Sequence, residues 1–188
     1  MRQVKGVLFV DYIRMIRAFK TVNWGAHLPP EDHPYLHAHI DPSAWYPMSA
    51  FERLGNAVLD VIAEGDVKLA RMWGRASARP LAEANPMIVA EGDVVETLNR
   101  FRVLRATYFD FEALEVLFLH EDEAQIVIRY HMGMPAEEAA SLQTQGFFEG
   151  LLALVGATDV DSEFAERSWA GDERTRLDLW WTPPGQGG

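Results

Sequence analysis

The sequence predicts an α+β fold in which a helical N-terminal part packs on a four-stranded antiparallel sheet. Apolar residues recur every three or four positions up to about residue 105, and after Thr107 this period shortens to two. The strand-like segments form two pairs separated by one helical segment, which gives the order strand–strand–helix–strand–strand. Such a sheet needs cover on one face, and we expect the N-terminal helices to provide it.

The first helix is predicted from Val7 to Phe19, because its apolar side chains fall on one helical face. Five prolines between residues 29 and 47 then exclude a long helix and predict a loop with short turns. A loop of this length is uncommon in a compact domain unless it packs on the core or serves as a lid.

Two capping signatures predict where later helices begin. Ser49 with Glu52 has the spacing of a capping box, and the helix after it is expected to end at Gly65. Asp93 with Glu96 has the same spacing ahead of the last helix of the N-terminal part. The first 105 residues are therefore predicted to be mainly helical.

The second half of the chain is predicted to contain two β-hairpins around one helix. Residues alternate between apolar and polar from 114 to 119 and from 126 to 132, and again from 160 to 168 and from 175 to 181. A helix is expected between Pro135 and Gly156.

We expect one domain over residues 1–182, with a helical subdomain at about 1–105 and a sheet subdomain at about 106–182. The remaining residues, 183–188, are rich in proline and glycine, and we expect them to form a disordered tail. No apolar run reaches the roughly 18–20 residues of a membrane span, so we predict a cytoplasmic protein without membrane contact.

Composition excludes several classes of function. The chain has no cysteine, which excludes disulfides, thiolate metal sites and cysteine nucleophiles. Its net charge of −11 argues against a nucleic-acid partner. Residues 106–188 hold 16 acidic and 4 basic side chains, which is typical of a solvated surface or of a docking face for a basic protein.

Sequence signatures of catalysis are absent. The chain has no Gly-x-Ser-x-Gly and no phosphate-binding glycine loop, so we predict that it is not an enzyme. His33, His37 and His39 have a spacing that could place imidazoles around zinc. A metal-dependent enzyme built on this loop stays open as an alternative to a polar, histidine-rich loop without metal.

Three segments carry a resemblance to a known family: 4–9, which runs into a helix and then Trp24; 146–152 in the late helix; and 177–181 at the end of the second hairpin. In these segments and in the order of its elements, the chain resembles the haem-nitric-oxide/oxygen-binding (H-NOX) family. The stretch from Gln145 to Trp181 is also similar to the related vinyl-reductase-type ligand-binding domains. The resemblance implies a sensory role.

The chain departs from the family where the family holds haem. The resemblance implies an iron-binding histidine on the helix at 93–105, but that helix has none, and Leu104 and Arg105 stand near the expected position. The family's Tyr-x-Ser-x-Arg motif for the haem propionates corresponds here to residues 130–134, without the serine or the arginine. Because haem needs an axial donor and counter-charges, we expect a degenerate member that does not bind haem in the family manner.

These observations predict a haem-independent sensory or adaptor domain that binds a small apolar ligand or a protein partner in signalling. Its candidate pocket is formed by Trp73, Leu98, Phe101, Leu104, Arg105 and Tyr130. One alternative is a haem gas sensor with a substituted ligand such as His131. The sequence does not specify the oligomeric state, and a homodimer is compatible with it.

Overall fold

The computed structural model describes residues 1–185, and the last three residues of the predicted disordered tail lie outside this range. The described chain contains six α-helices: α1 (Gly6–Ala18), α2 (His33–His37), α3 (Met48–Ile62), α4 (Lys68–Ala84), α5 (Val94–Ala106) and α6 (Ala136–Val155). It also contains six strands: β1 (Gln3–Lys5), β2 (Trp45–Pro47), β3 (Leu114–Leu119), β4 (Glu123–Ile128), β5 (Thr158–Glu166) and β6 (Thr175–Thr182). None of these helices is long and apolar enough to cross a membrane.

The main sheet is antiparallel with the strand order β3-β4-β6-β5, and α6 connects its two hairpins. Ile126 pairs with Leu177 and Ala124 pairs with Leu179, so these side chains share one face, where all four are almost fully buried. That face is covered by α6, which contacts β5 and β6, and by α5, which contacts β3. The predicted α+β fold and its strand–strand–helix–strand–strand order are confirmed.

A small second sheet ties the N-terminus to the rest of the molecule. β1 pairs with β2, and Val4 forms an isolated bridge with Phe109 just after α5. The short strand β2 closes the proline-rich loop, which otherwise consists of short turns and α2, as its prolines predict.

The capping prediction is confirmed at α5 and wrong at α3. At α5 the Asp93 carboxylate accepts a hydrogen bond from the Glu96 N–H at 2.8 Å. At α3 the helix begins at Met48, and no side chain caps it. The Glu52 carboxylate instead accepts from the Gly133 N–H at 2.8 Å, because the chain after β4 lies beside α3.

The first strand pair differs from its prediction at one end. The alternation of apolar residues predicts that Tyr130 and Met132 lie in the strand. β4 instead ends at Ile128, so neither residue belongs to it. His131, expected in the strand, has a φ of 52°, which is incompatible with an extended strand. The chain turns here toward α6.

The helices α4 and α6 cross at very short distance. A Cβ atom on Gly146 would lie 1.9 Å from the carbonyl oxygen of Arg71, and one on Gly74 would lie 1.8 Å from that of Gln143. The missing side chains therefore allow backbone contact between the two helices. Next to the crossing, the buried Glu149 carboxylate accepts hydrogen bonds from Arg71 on α4 and Ser162 on β5.

Candidate functional site

A cavity of about 270 Å³ lies between α5 and the β3–β4 hairpin and is partly open to solvent. Most of its wall is apolar, including Leu98, Phe101, Leu114, Val116, Ile126 and Phe148. The alanines at positions 106, 113 and 124 also line it. Small side chains at these positions leave space that larger ones would fill, because protein interiors are otherwise close-packed.

Charged residues are confined to four positions of the cavity wall. Arg102 and Arg105 lie on α5, Glu112 lies just before β3, and Glu115 lies in β3. The Glu115 carboxylate forms an ion pair with Arg129 on the neighbouring chain segment. The cavity therefore combines an apolar wall with a few polar groups, as is typical of small-molecule sites.

Arg105 connects the cavity to the centre of the molecule. Its Nη2 donates a hydrogen bond to the Tyr130 hydroxyl at 2.8 Å, and that hydroxyl lies 2.7 Å from Thr144 Oγ1 on α6. The guanidinium carbon lies 4.5 Å from the centroid of the Phe109 ring, within cation–π distance. The Arg105 Nε is buried and has no hydrogen-bond partner among the described residues.

The structure brings together only some of the residues that the sequence assigns to a pocket. Leu98, Phe101 and Arg105 line the cavity, whereas Trp73 and Leu104 do not. Trp73 and Leu104 are partly buried and pack against the core. The sixth candidate, Tyr130, lies behind the wall, where its hydroxyl accepts the hydrogen bond from Arg105. The sequence reasoning missed the wall contributed by β3 and β4, although the apolar side chains of both strands alternate clearly.

The histidine loop does not assemble a metal site. Residues 1–185 contain no group of three or more His, Asp or Glu side chains placed to hold a metal ion. The ring of His33 instead lies 3.0 Å from the Leu28 carbonyl oxygen. The alternative of a metal site on His33, His37 and His39 is therefore not supported by the geometry.

Residues 130–134, which the resemblance matches to the propionate motif, are held by side chains of this chain. The Glu137 carboxylate accepts from the Met132 N–H at 2.7 Å, and Arg2 donates to the His131 carbonyl at 2.7 Å. Glu137 is only 6% exposed. Burial raises its pKa, and the Met132 hydrogen bond with the charges of His131 and Arg2 opposes that rise.

A much smaller cavity lies on the helical side of the molecule. This second cavity, of about 20 Å³, lies where α1 and α3 meet the beginning of α6, and its lining includes Tyr12, Phe51 and Met132. This volume is enough for about one water molecule. Burial raises the pKa of the Tyr12 hydroxyl, which keeps it neutral.

The residues around the larger cavity do not fit haem. Protein ligands of haem iron are histidine, cysteine, methionine or tyrosine, and none of these is among the residues that line it. Its volume of about 270 Å³ also lies just below the range of roughly 300–1,000 Å³ that is usual for pockets of drug-sized ligands. His131, proposed above as a substituted ligand, is exposed and is not part of this wall.

No family model and no curated protein matches this chain. Solved structures do match over nearly its whole length. An S. oneidensis H-NOX mutant in the Fe(II) ligation state has a TM-score of 0.67 and 12% identity, covering 98% of this chain and 100% of that one. A mutant T. tengcongensis H-NOX has a TM-score of 0.62 and 16% identity, covering 96% of this chain and 99% of that one. An oxygen-binding H-NOX domain related to soluble guanylate cyclases has a TM-score of 0.58 and 16% identity, covering 96% of each chain. The chain therefore has the fold of H-NOX domains.

Proposed function

We propose that this protein is a haem-independent sensory domain that binds a small apolar molecule in the cavity between α5 and the β3–β4 hairpin. The observation that carries the proposal is this cavity, with its apolar wall and its contact to the Arg105–Tyr130–Thr144 chain. The structural neighbours include an oxygen-binding H-NOX domain, which favours sensing as the general role of the fold. Fold alone does not identify a ligand, so the proposal rests on the cavity.

The volume limits the size of the ligand. An apolar cavity of about 150 Å³ is known to hold benzene, so 270 Å³ has room for about ten carbon atoms by proportion. A short aliphatic chain or a bicyclic ring system meets this limit. Larger flat macrocycles exceed it.

The cavity wall offers few groups that could catalyse a reaction. The lining residues include no serine, threonine, cysteine, histidine or lysine, so the wall offers neither a nucleophile nor the usual proton-transfer groups except Glu112 and Glu115. Glu115 is paired with Arg129, and Glu112 is exposed. This composition favours recognition of a molecule over its conversion.

The signal would leave the cavity through Arg105. This residue lies on α5, and its hydrogen bond to Tyr130 continues to Thr144 on α6. A ligand that displaces the Arg105 side chain changes how α5 is held against α6 and the end of β4. Binding shifts such an equilibrium only as far as the ligand prefers one arrangement over the other. A partner protein would then detect the altered surface.

Titration with 1-octanol, a neutral eight-carbon probe, tests the proposal. We expect the probe to raise the melting temperature in a concentration-dependent way, and calorimetry to give one site with a Kd of about 1 mM or tighter. Ala124→Leu adds volume inside the wall, and Ala106→Trp adds it at an exposed part of the wall; each is expected to weaken binding at least about tenfold.

Ala76→Trp is the matched control, because Ala76 is an exposed residue of α4 outside the cavity wall. It should bind 1-octanol as the wild type does. The proposal fails if the wild type does not bind the probe, or if binding is unchanged in both cavity variants while circular dichroism shows that they are folded.

A further inference from the structure

Two arginines of the cavity wall have no acidic partner. Arg102 and Arg105 stand three residues apart on α5 and thus on one helical face. Within residues 1–185 neither comes within 4.0 Å of a carboxylate, whereas eight other arginines do. In a chain with 28 acidic and 17 basic residues, unpaired arginines beside an apolar cavity call for an explanation.

The charges around the cavity favour an anion. Glu115 is neutralised by Arg129, so the carboxylate that remains to oppose the two arginines is the exposed Glu112. Arg105 uses one donor group for Tyr130, and its buried Nε has no hydrogen-bond partner within residues 1–185. Arg102 is exposed at the same cavity. Donors therefore remain on both guanidinium groups.

We infer that the ligand of this cavity is a monocarboxylic acid with an unbranched apolar chain of about eight to ten carbons in all. The tail would lie against side chains such as Phe101, Val116 and Phe148, and the carboxylate would bind to Arg102 and Arg105. A guanidinium group matches the geometry of a carboxylate and prefers it to a neutral hydroxyl or an ammonium group. This inference rests on the proposed function and adds the chemical class of the ligand.

Three probes of eight carbons each distinguish binding of the head group from binding of the chain: octanoate, 1-octanol and octylammonium. Each is titrated calorimetrically into the whole protein at pH 7.5. We expect octanoate to bind at least about tenfold more tightly than 1-octanol, because hydrogen bonds to charged groups are stronger than neutral ones. Octylammonium should bind more weakly than 1-octanol.

Arg102→Gln assigns the preference to the cavity. Arg102 makes no side-chain hydrogen bond or ion pair in the described structure, so the variant should fold normally. It should weaken octanoate about fivefold to tenfold and leave 1-octanol unchanged. The octanoate affinity of Arg102→Lys should lie between those of the wild type and Arg102→Gln, because lysine keeps the charge but lacks the planar guanidinium group. Arg79→Gln, an exposed position on α4, controls for the change in net charge.

The outcomes distinguish failure of the carboxylate inference from failure of the proposed apolar site. Equal affinity for octanoate and 1-octanol overturns the inference and leaves the apolar site intact. An octanoate preference that persists in Arg102→Gln, or is lost equally in Arg79→Gln, also overturns it. If none of the three probes binds, the inference and the proposed function both fail.

Discussion

At the scale of single residues, the carboxylate of Glu137 is buried and holds part of the backbone. It lies in the first turn of α6 and fixes the chain after β4 through the Met132 N–H. Burial raises its pKa, while the hydrogen bond and the charges of His131 and Arg2 lower it and Glu52 raises it further. The rise prevails, so the folded protein holds a proton on Glu137 more readily than the unfolded chain does.

This pKa shift makes stability depend on pH in a defined direction. A raised native pKa stabilises the fold below the unfolded pKa, and that contribution is lost as the pH rises through the native value. Replacing Glu137 by glutamine removes the titration and keeps an oxygen acceptor for Met132. We therefore expect the free energy of unfolding of the wild type to fall relative to Glu137→Gln above about pH 4.5, by at most about 1.4 kcal/mol per pH unit.

Urea denaturation at several pH values between 4 and 8 checks this. Glu83→Gln, which removes an exposed carboxylate of α4, controls for the loss of one negative charge. The difference in the free energy of unfolding between the wild type and Glu137→Gln should change with pH in this direction. A difference that stays constant from pH 4 to 8, or that changes with the opposite sign, would contradict a raised pKa of Glu137.

At the scale of elements, the α4–α6 crossing depends on glycines that helix propensity alone would disfavour. Alanine in place of an interior helical glycine usually stabilises a protein by about 1 kcal/mol. At Gly146 the new Cβ would collide with the Arg71 carbonyl oxygen at 1.9 Å, so the two helices would have to separate. We expect Gly146→Ala to destabilise the protein by about 2–3 kcal/mol, as measured by urea denaturation.

Gly25→Ala is the matched control for this substitution. The nearest atom to a Cβ at Gly25 would be 3.6 Å away, an ordinary contact, so stability should change little. A Gly146→Ala protein as stable as the wild type would show that the two helices are not held at the distance described here.

Local sequence signals predict the elements well wherever the local chain decides them. Asp93 caps α5 as its spacing predicts, because a capping bond needs only residues a turn apart. Glu52 has the same spacing after Ser49. Its carboxylate, however, accepts a hydrogen bond from the N–H of Gly133, which is far away in sequence. The early end of β4 likewise depends on the turn at His131, which alternation of apolar residues does not reveal.

The candidate site is less predictable than the fold for a related reason. Leu98, Phe101 and Arg105 could be named from the helix alone, but a cavity is the space left by residues that are distant in sequence. Ala113 and Ala124 help to create it through their small size, and nothing near them in the chain marks them. The hydrogen bond that puts Tyr130 behind the wall is equally a tertiary feature.

At the scale of the whole molecule, the chain has the fold of H-NOX domains. Arg105 and Tyr130 join in a hydrogen bond near the position where the resemblance implies an iron ligand. Glu137, Glu52 and Arg2 hold the backbone of the segment that corresponds to the propionate motif. The acidic residues of the second half stay, as the sequence predicts, candidates for docking a basic partner.

Titration of the purified protein with haemin, followed by absorption spectroscopy, tests the central claim most directly. The account predicts no stoichiometric complex and no sharp, intense Soret band, because the wall of the larger cavity offers no axial donor. A one-to-one haem complex with such a band would contradict it, and loss of that complex in His131→Ala would identify His131 as the ligand.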